Sequence, residues 1–161
     1  MDLLDARLIE LLAAEPRVGV LELARRLGVA RGTAQARLDR LVSRGVIKGF
    51  GPEIDPAAVG FGVTSFVTLE IRQGIGATSA GRSAHDAVTE HLTTIPEVLE
   101  AHTITGSGDL LCRIVARSNA DLQRVIDLIV SYQGIVRAST IIALAEQIPY
   151  RVLPLVESCV E

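Results

Sequence analysis

Two clusters of residues in this 161-residue chain have types and spacing that suit chemistry. The first is Arg31, Thr33, Gln35, Ala36, Arg37, Arg40 and Arg44, with Lys48 just beyond. Four arginines against one aspartate, Asp39, make a strongly basic face. A guanidinium is a rigid fork that fits two guanine acceptors or a phosphate, and a glutamine amide pairs in the same way with adenine. Gln35 and Arg37 are therefore the candidate base readers, while Arg31, Thr33, Arg40, Arg44 and Lys48 suit phosphates and Ala36 shares their outward side. A plain solvated helix face has the same composition. The second cluster is Thr105-Gly106-Ser107-Gly108-Asp109. Two glycines around a serine let successive N–H groups point inward as a nest for a carboxylate, and the Asp109 charge suits an ammonium. Both groups on one carbon make an α-amino acid. An unliganded turn uses these residues too.

Other chemistry finds little support. His85 and His91 are six apart on one expected helix, about 600° of rotation, so they point to different sides and do not share a metal. His102 reads as a partly buried polar residue on a strand. Cys112 alternates with Leu110 and Ile114 as a small core residue. No nucleophile–base pair, P-loop or dinucleotide fingerprint is present, so neither an enzyme nor a cofactor is expected.

The basic cluster needs a helix to present it. Val20–Arg44 reads as two helices around a tight turn: Leu21, Leu23, Ala24 and Leu27 form one apolar side, Gly28 turns the chain, and Ala34, Leu38, Leu41 and Val42 form the next stripe. Such a helix-turn-helix suits a major groove. A first helix over 3–14 buries Leu4, Leu8, Leu11 and Leu12, with Asp2 or Asp5 at its positive end, and Pro16 ends it. Gly19 caps the second helix, with Glu22 as half of a capping box. Gly45 closes the third, and Val46 and Ile47 begin a short wing-like strand. The Pro/Gly-rich stretch 51–62 is the expected linker, between a domain at 1–50 and another at 63–161.

The turn cluster needs a sheet. Strands are expected from Val63 (VTSFVTLEI), at 98–104, at 110–116 and at 135–144. Helices are expected at 80–94, with Ala84, Val88 and Leu92 inside, and after Ser118 or Asn119, with Leu122, Val125, Ile126 and Ile129 inside. A Gly/Thr/Ser loop fills 74–79, and the tail QIPYRVLPL reads as extended. Strand–helix–strand–strand–helix–strand is an α+β, ferredoxin-like βαββαβ order. Its sheet has one open face, which a second copy of the chain covers by two-fold symmetry.

Composition bounds the reading. Residues 1–50 hold nine Lys/Arg against six Asp/Glu, and the remainder seven against thirteen, so a basic head precedes an acidic body. Aromatics are 3%, which argues against a stacking platform for single-stranded nucleic acid. Two cysteines make no disulfide framework. No apolar run is long enough to span a membrane, and MDLLDARLIELL lacks a basic signal-peptide region, so a cytoplasmic location is expected.

LDARLIELL, ELARRLGVARGTAQARLDRL, RGVIKGFGPEIDPAAVGFGVTSFV, ITGSGDLL and STIIAL, in this order, resemble the leucine-responsive/asparagine-regulator (Lrp/AsnC, feast/famine) family of prokaryotic transcription regulators. The resemblance implies a winged helix-turn-helix on double-stranded DNA, joined to a ferredoxin-like (RAM/ACT-like) domain. It implies dimers that assemble to tetramers or octamers, and a small effector, usually an amino acid. It places the effector at the Thr105–Asp109 turn with contributions from the last strand, where Ala138 and Thr140 match positions that are often small or hydroxyl-bearing. The chain departs at Ala30, usually a serine, and at Gly32, each weakening the start of the recognition helix by roughly a kcal/mol. Two other readings stay open: an oligomeric small-molecule binder without specific DNA binding, and an effector-independent architectural DNA binder.

Overall fold

The computed structural model describes residues 1–72 and 83–159. The chain divides into two compact units, Met1–Glu53 with the C-terminal segment from Ile148, and Ile54–Gln147.

In the first unit α1 spans Leu3–Ala14, α2 Val20–Leu27 and α3 Arg31–Ser43. Asp2 caps α1 by accepting from the Asp5 N–H at 2.9 Å, and the Asp5 carboxylate reaches back to the Asp2 N–H. Acceptors there satisfy donors that the helix itself leaves open. Gly28 (φ 68°) and Gly45 (φ 69°) take the left-handed conformation that closes α2 and α3. After each, the next N–H returns to a carbonyl of the last turn, Val29 to Ala24 and Val46 to Leu41. The core is Ala6, Leu8, Leu23, Ala24, Ala34 and Leu41. Ala24 and Ala34 are small enough for α2 and α3 to pack closely.

Several details differ from the sequence reading. Leu4, Leu11 and Leu12 are only half-buried, Leu21 and Val42 are exposed, and the buried α1 positions include Asp5. Glu22 makes no capping box, because Arg25 and Arg26 take its carboxylate. The expected strand at Val46–Ile47 is absent: both N–H groups turn back to the Leu41 carbonyl, which leaves them unavailable to a ladder. The tail is not wholly extended, for α6 forms at Leu153–Ser158 and lies against α1.

In the second unit β1 spans Val63–Ile71, α4 Ala84–Thr93, β2 Val98–Thr103, β3 Leu110–Ala116, α5 Asn119–Val130 and β4 Ile135–Ala143. All pairings are antiparallel, in the order β2-β3-β1-β4. That is the ferredoxin-like order expected from the sequence. Ser83 and Ser118 cap the two helices through the N–H groups of Asp86 and Asp121. Val67, Leu69, Ile71, Leu110, Cys112 and Ile114 meet Val88, Leu92, Leu122, Val125 and Ile129 in one core. Burial pushes the Cys112 thiol up to about 11, so it stays protonated and inert. The opposite sheet face carries Phe66, Leu111 and Ile141. The loop expected at 74–79 and the start of the helix expected from residue 80 lie outside the described residues.

The compact units divide the chain differently from the expected 1–50, 51–62 and 63–161. Most of the stretch expected as a linker is folded. Asp55 accepts from the Ala57 N–H, the Pro56 carbonyl accepts from Val59 and Phe61, and the Arg117 guanidinium lies 5.1 Å from the Phe61 ring centroid.

Candidate nucleic-acid interface and effector turn

The α3 face is built on Ala34 and Leu41, which point into the head. At roughly 100° per residue, Gly32, Ala36, Asp39 and Ser43 then point outward, with Arg31 and Gln35 on one flank and Thr33, Arg40 and Arg44 on the other. Arg31, Thr33, Gln35, Ala36, Arg40 and Arg44 are exposed, as is Lys48 beyond the helix. Gly32, Ala36 and Ser43 are small and allow close approach to a groove bounded by phosphates, with cations at the edges; Asp39 shares the centre and accepts from Gln35. Ala30 at the helix start makes no side-chain cap; its carbonyl accepts from the Thr33 N–H, and the Arg31 and Gly32 N–H groups are left for another acceptor.

The two candidate base readers differ in freedom. The Gln35 amide donates to Asp39 at 2.8 Å, an exposed contact four residues apart. Such a pair is worth only about 0.2–0.5 kcal/mol, so DNA can displace it. Arg37 does not face outward as expected. Its Nη1 donates to both Asp2 oxygens at 2.7 and 2.6 Å and to Asp5 Oδ1 at 2.8 Å. Its side chain is 24% exposed, and that of Asp5 only 3%. Arg40 donates through Nη2 to the same Asp5 carboxylate at 3.0 and 2.9 Å. Arg37 and the Asp5 N–H hold the Asp2 carboxyl below the usual range, in that order of effect. The sequence carried the signal for this, two aspartates in the first turn of α1 and arginines three apart on α3. Each had a sufficient local explanation as a cap or as a basic face. Among the described residues Arg31, Arg44 and Lys48 have no ion-pair partner.

The turn between β2 and β3 is held from several sides. Gly106 has φ 114°, open only to glycine without strain. Gly108 lies so close to β1 that a Cβ there would run into Thr68 Cγ2. The Asp109 N–H donates to the Leu69 carbonyl at 2.8 Å, and Asp109 Oδ2 accepts from the Ile71 N–H at 2.6 Å. One carboxylate oxygen is thus engaged with the fold. An open cavity of about 320 Å³ borders the turn, lined by Glu70, Ile71, Gly106, Ser107, Gly108, Asp109 and Val136. Thr105 is exposed at the start of the turn and is not among the lining residues.

Ala138 and Thr140 do not join this cavity. Residues directly opposite in an antiparallel ladder share a face, and these two stand opposite Leu69 and Val67, which are fully buried beneath the helices. The register shift at Glu70/Ile71 brings Val136 to the turn instead. A bulge of that kind leaves no mark in the alternation of IVRASTIIAL.

The comparisons with known proteins agree with this architecture. Residues 1–48 match the family described as winged helix-turn-helix DNA-binding, and residues 64–153 match the Lrp/AsnC ligand binding domain. The HTH-type transcriptional regulator FL11 of Pyrococcus furiosus is 27% identical over 144 residues, 89% of each chain. The HTH-type transcriptional regulator AldR of Mycolicibacterium smegmatis is 30% identical over 126 residues, 78% of this chain and 70% of that one. Among solved structures, E. coli AsnC superposes with a TM-score of 0.81 at 27% identity, over 96% of this chain and 99% of that one. The leucine response regulatory protein LrpA of Mycobacterium tuberculosis gives 0.74, also at 27% identity, over 96% and 100%. These relatives are transcription regulators and not enzymes. With a DNA-binding head, a ligand-binding body and this strand order, the chain belongs to the Lrp/AsnC family of transcription regulators.

Proposed function

We propose that this regulator reads its operator with the outward face of α3 and changes its activity or assembly when an amino acid binds at the β2–β3 turn. The observation that carries the DNA half is the exposed face of α3, where Gly32, Ala36 and Ser43 are flanked by Arg31, Gln35, Thr33, Arg40 and Arg44. Gln35 is the base reader; Arg31, Arg44 and Lys48 engage phosphates. Arg37 is left out because Asp2 and Asp5 hold its guanidinium. The amino-acid half is supported by the Gly106–Asp109 cavity and by the ligand-binding family of the body. A relative at 27% identity is named for its response to leucine. The open sheet face pairs with a second copy, and dimers assemble further. The chain works in the cytoplasm; among its described residues no helix is long and apolar enough to cross a membrane.

A second reading has its own support. Asp109 Oδ2 already serves the Ile71 N–H, and Ala138 and Thr140 turn to the core, which favours an effector-independent DNA binder.

The test is a fluorescence titration of the DNA upstream of the protein's own coding sequence against a scrambled duplex, over a salt series, with each of the twenty amino acids added. The expected result is preference for the native duplex, steep salt dependence, and a shift in affinity with one or a few amino acids. Equal, salt-insensitive binding of both duplexes overturns the DNA half. Specific binding indifferent to every amino acid supports the second reading.

A further inference from the structure

Arg37 is the most heavily engaged cation of the recognition helix. It lies between two carboxylates of α1, with three contacts of 2.8 Å or less. A carboxylate offers a guanidinium the same paired oxygens that a phosphate does. We propose that Asp2 and Asp5 act as an internal phosphate mimic that withholds Arg37 from DNA, and so limit how many phosphates the head engages. The proposal rests on DNA binding alone and is independent of the effector.

The two acids have different parts. Asp5 is nearly buried, shared between Arg37 and Arg40, and anchors α3 to α1. Asp2 is half exposed, and its only ion pair among the described residues is with Arg37. It is therefore the releasable half of the clamp. Among the described residues Arg40 pairs with Asp5 alone, and it keeps half of its side chain in solvent. Of the five cations at 31–48, Arg37 is the one held on both sides. Phosphate contacts add affinity for any sequence, whereas base contacts discriminate. Holding one arginine back lowers binding to all DNA alike and leaves the discrimination supplied by Gln35 untouched.

Asp2→Asn tests this, because asparagine caps a helix as well as aspartate does and removes only the charge. In the full-length protein, the slope of log affinity against log salt for the scrambled duplex is expected to steepen by about 0.9, one added phosphate. Both duplexes are expected to bind more tightly at low salt, with native-over-scrambled preference unchanged. The same change made in an Arg37→Gln background is expected to leave the slope unmoved. An unchanged slope in Asp2→Asn alone overturns the proposal. So does an equal steepening in the Arg37→Gln background, which would mean that Asp2 acts by its field and not through Arg37. Should Arg37→Gln fail to fold by thermal unfolding, Arg37→Met, which keeps the apolar stem without the charge, takes its place as the background; an equal steepening by Asp2→Asn there overturns the proposal.

Discussion

Gln35 and Arg37 sit two residues apart on one helix, yet their bonds differ enough to assign them different work. In the proposed reading Gln35 gives up one exposed contact to reach a base, so Gln35→Ala is expected to weaken the native duplex by about 1–3 kcal/mol and to relax preference at one position, measured on a panel of single-base variants. An unchanged panel would remove Gln35 from the reading face. Glu22 gives a prediction in pH. It accepts from Arg25 and Arg26 at 2.7 Å, and these hold its carboxyl down to about 2. A group whose pKa is depressed by folding stabilises the fold above its unfolded value and loses that contribution as pH falls toward the folded one. The head should therefore lose stability from the ordinary glutamate range down toward pH 2, and Glu22→Gln should flatten that part of a plot of thermal midpoint against pH. A slope identical to that of the native chain would show that the Glu22 cluster is too well solvated to matter. Residue types were legible from sequence at all these positions. Their partners were not, since the contact of Arg37 with Asp2 joins residues 35 apart and depends on how α3 crosses α1.

At the scale of elements, periodicity served best where one face meets one core. The β3 and α5 patterns are of that kind: Leu110, Cys112 and Ile114 are buried as expected, as are Leu122, Val125 and Ile129, with Ile126 half-buried beside them. It served least where an element is short, shared or irregular. α1 faces both α3 and α6, which spreads its burial around the helix. The Val46–Ile47 pair had β-branched residues but no free N–H groups to offer a neighbour. The β2–β3 turn was readable as glycine chemistry, but its docking on β1 was not, because close approach to Thr68 is a three-dimensional fact. Gly108→Ala should force that turn away from β1. We expect a loss of about 1–3 kcal/mol in thermal or urea unfolding, as for overpacking elsewhere, together with loss of any thermal shift given by an amino acid. Native-like stability in this variant would mean that the turn has room to move.

For the whole molecule, order of elements and split of charge were enough to foresee a basic head on a ferredoxin-like body. The sheet's open face follows from two helices lying on the other side, and Phe66 and Ile141 stand directly opposite each other on it, 38% and 67% exposed. Ile141→Glu is expected to lower the sedimenting mass toward that of one chain at micromolar concentration while circular dichroism stays native; an unaltered mass would place the association elsewhere. What sequence order concealed is that the head is not one continuous stretch. It takes Met1–Glu53 and then, after the entire body, the segment from Ile148 whose α6 rests on α1. This bears on exchange of parts among relatives. A DNA-reading head cut out at residue 53 as a contiguous cassette leaves behind the helix that lies against its first one, so a chimera that borrows only the N-terminal third inherits a mismatched tail. In this chain the head would be exchanged as two fragments at once, since recombination at a single crossover separates α6 from the helix it lies against.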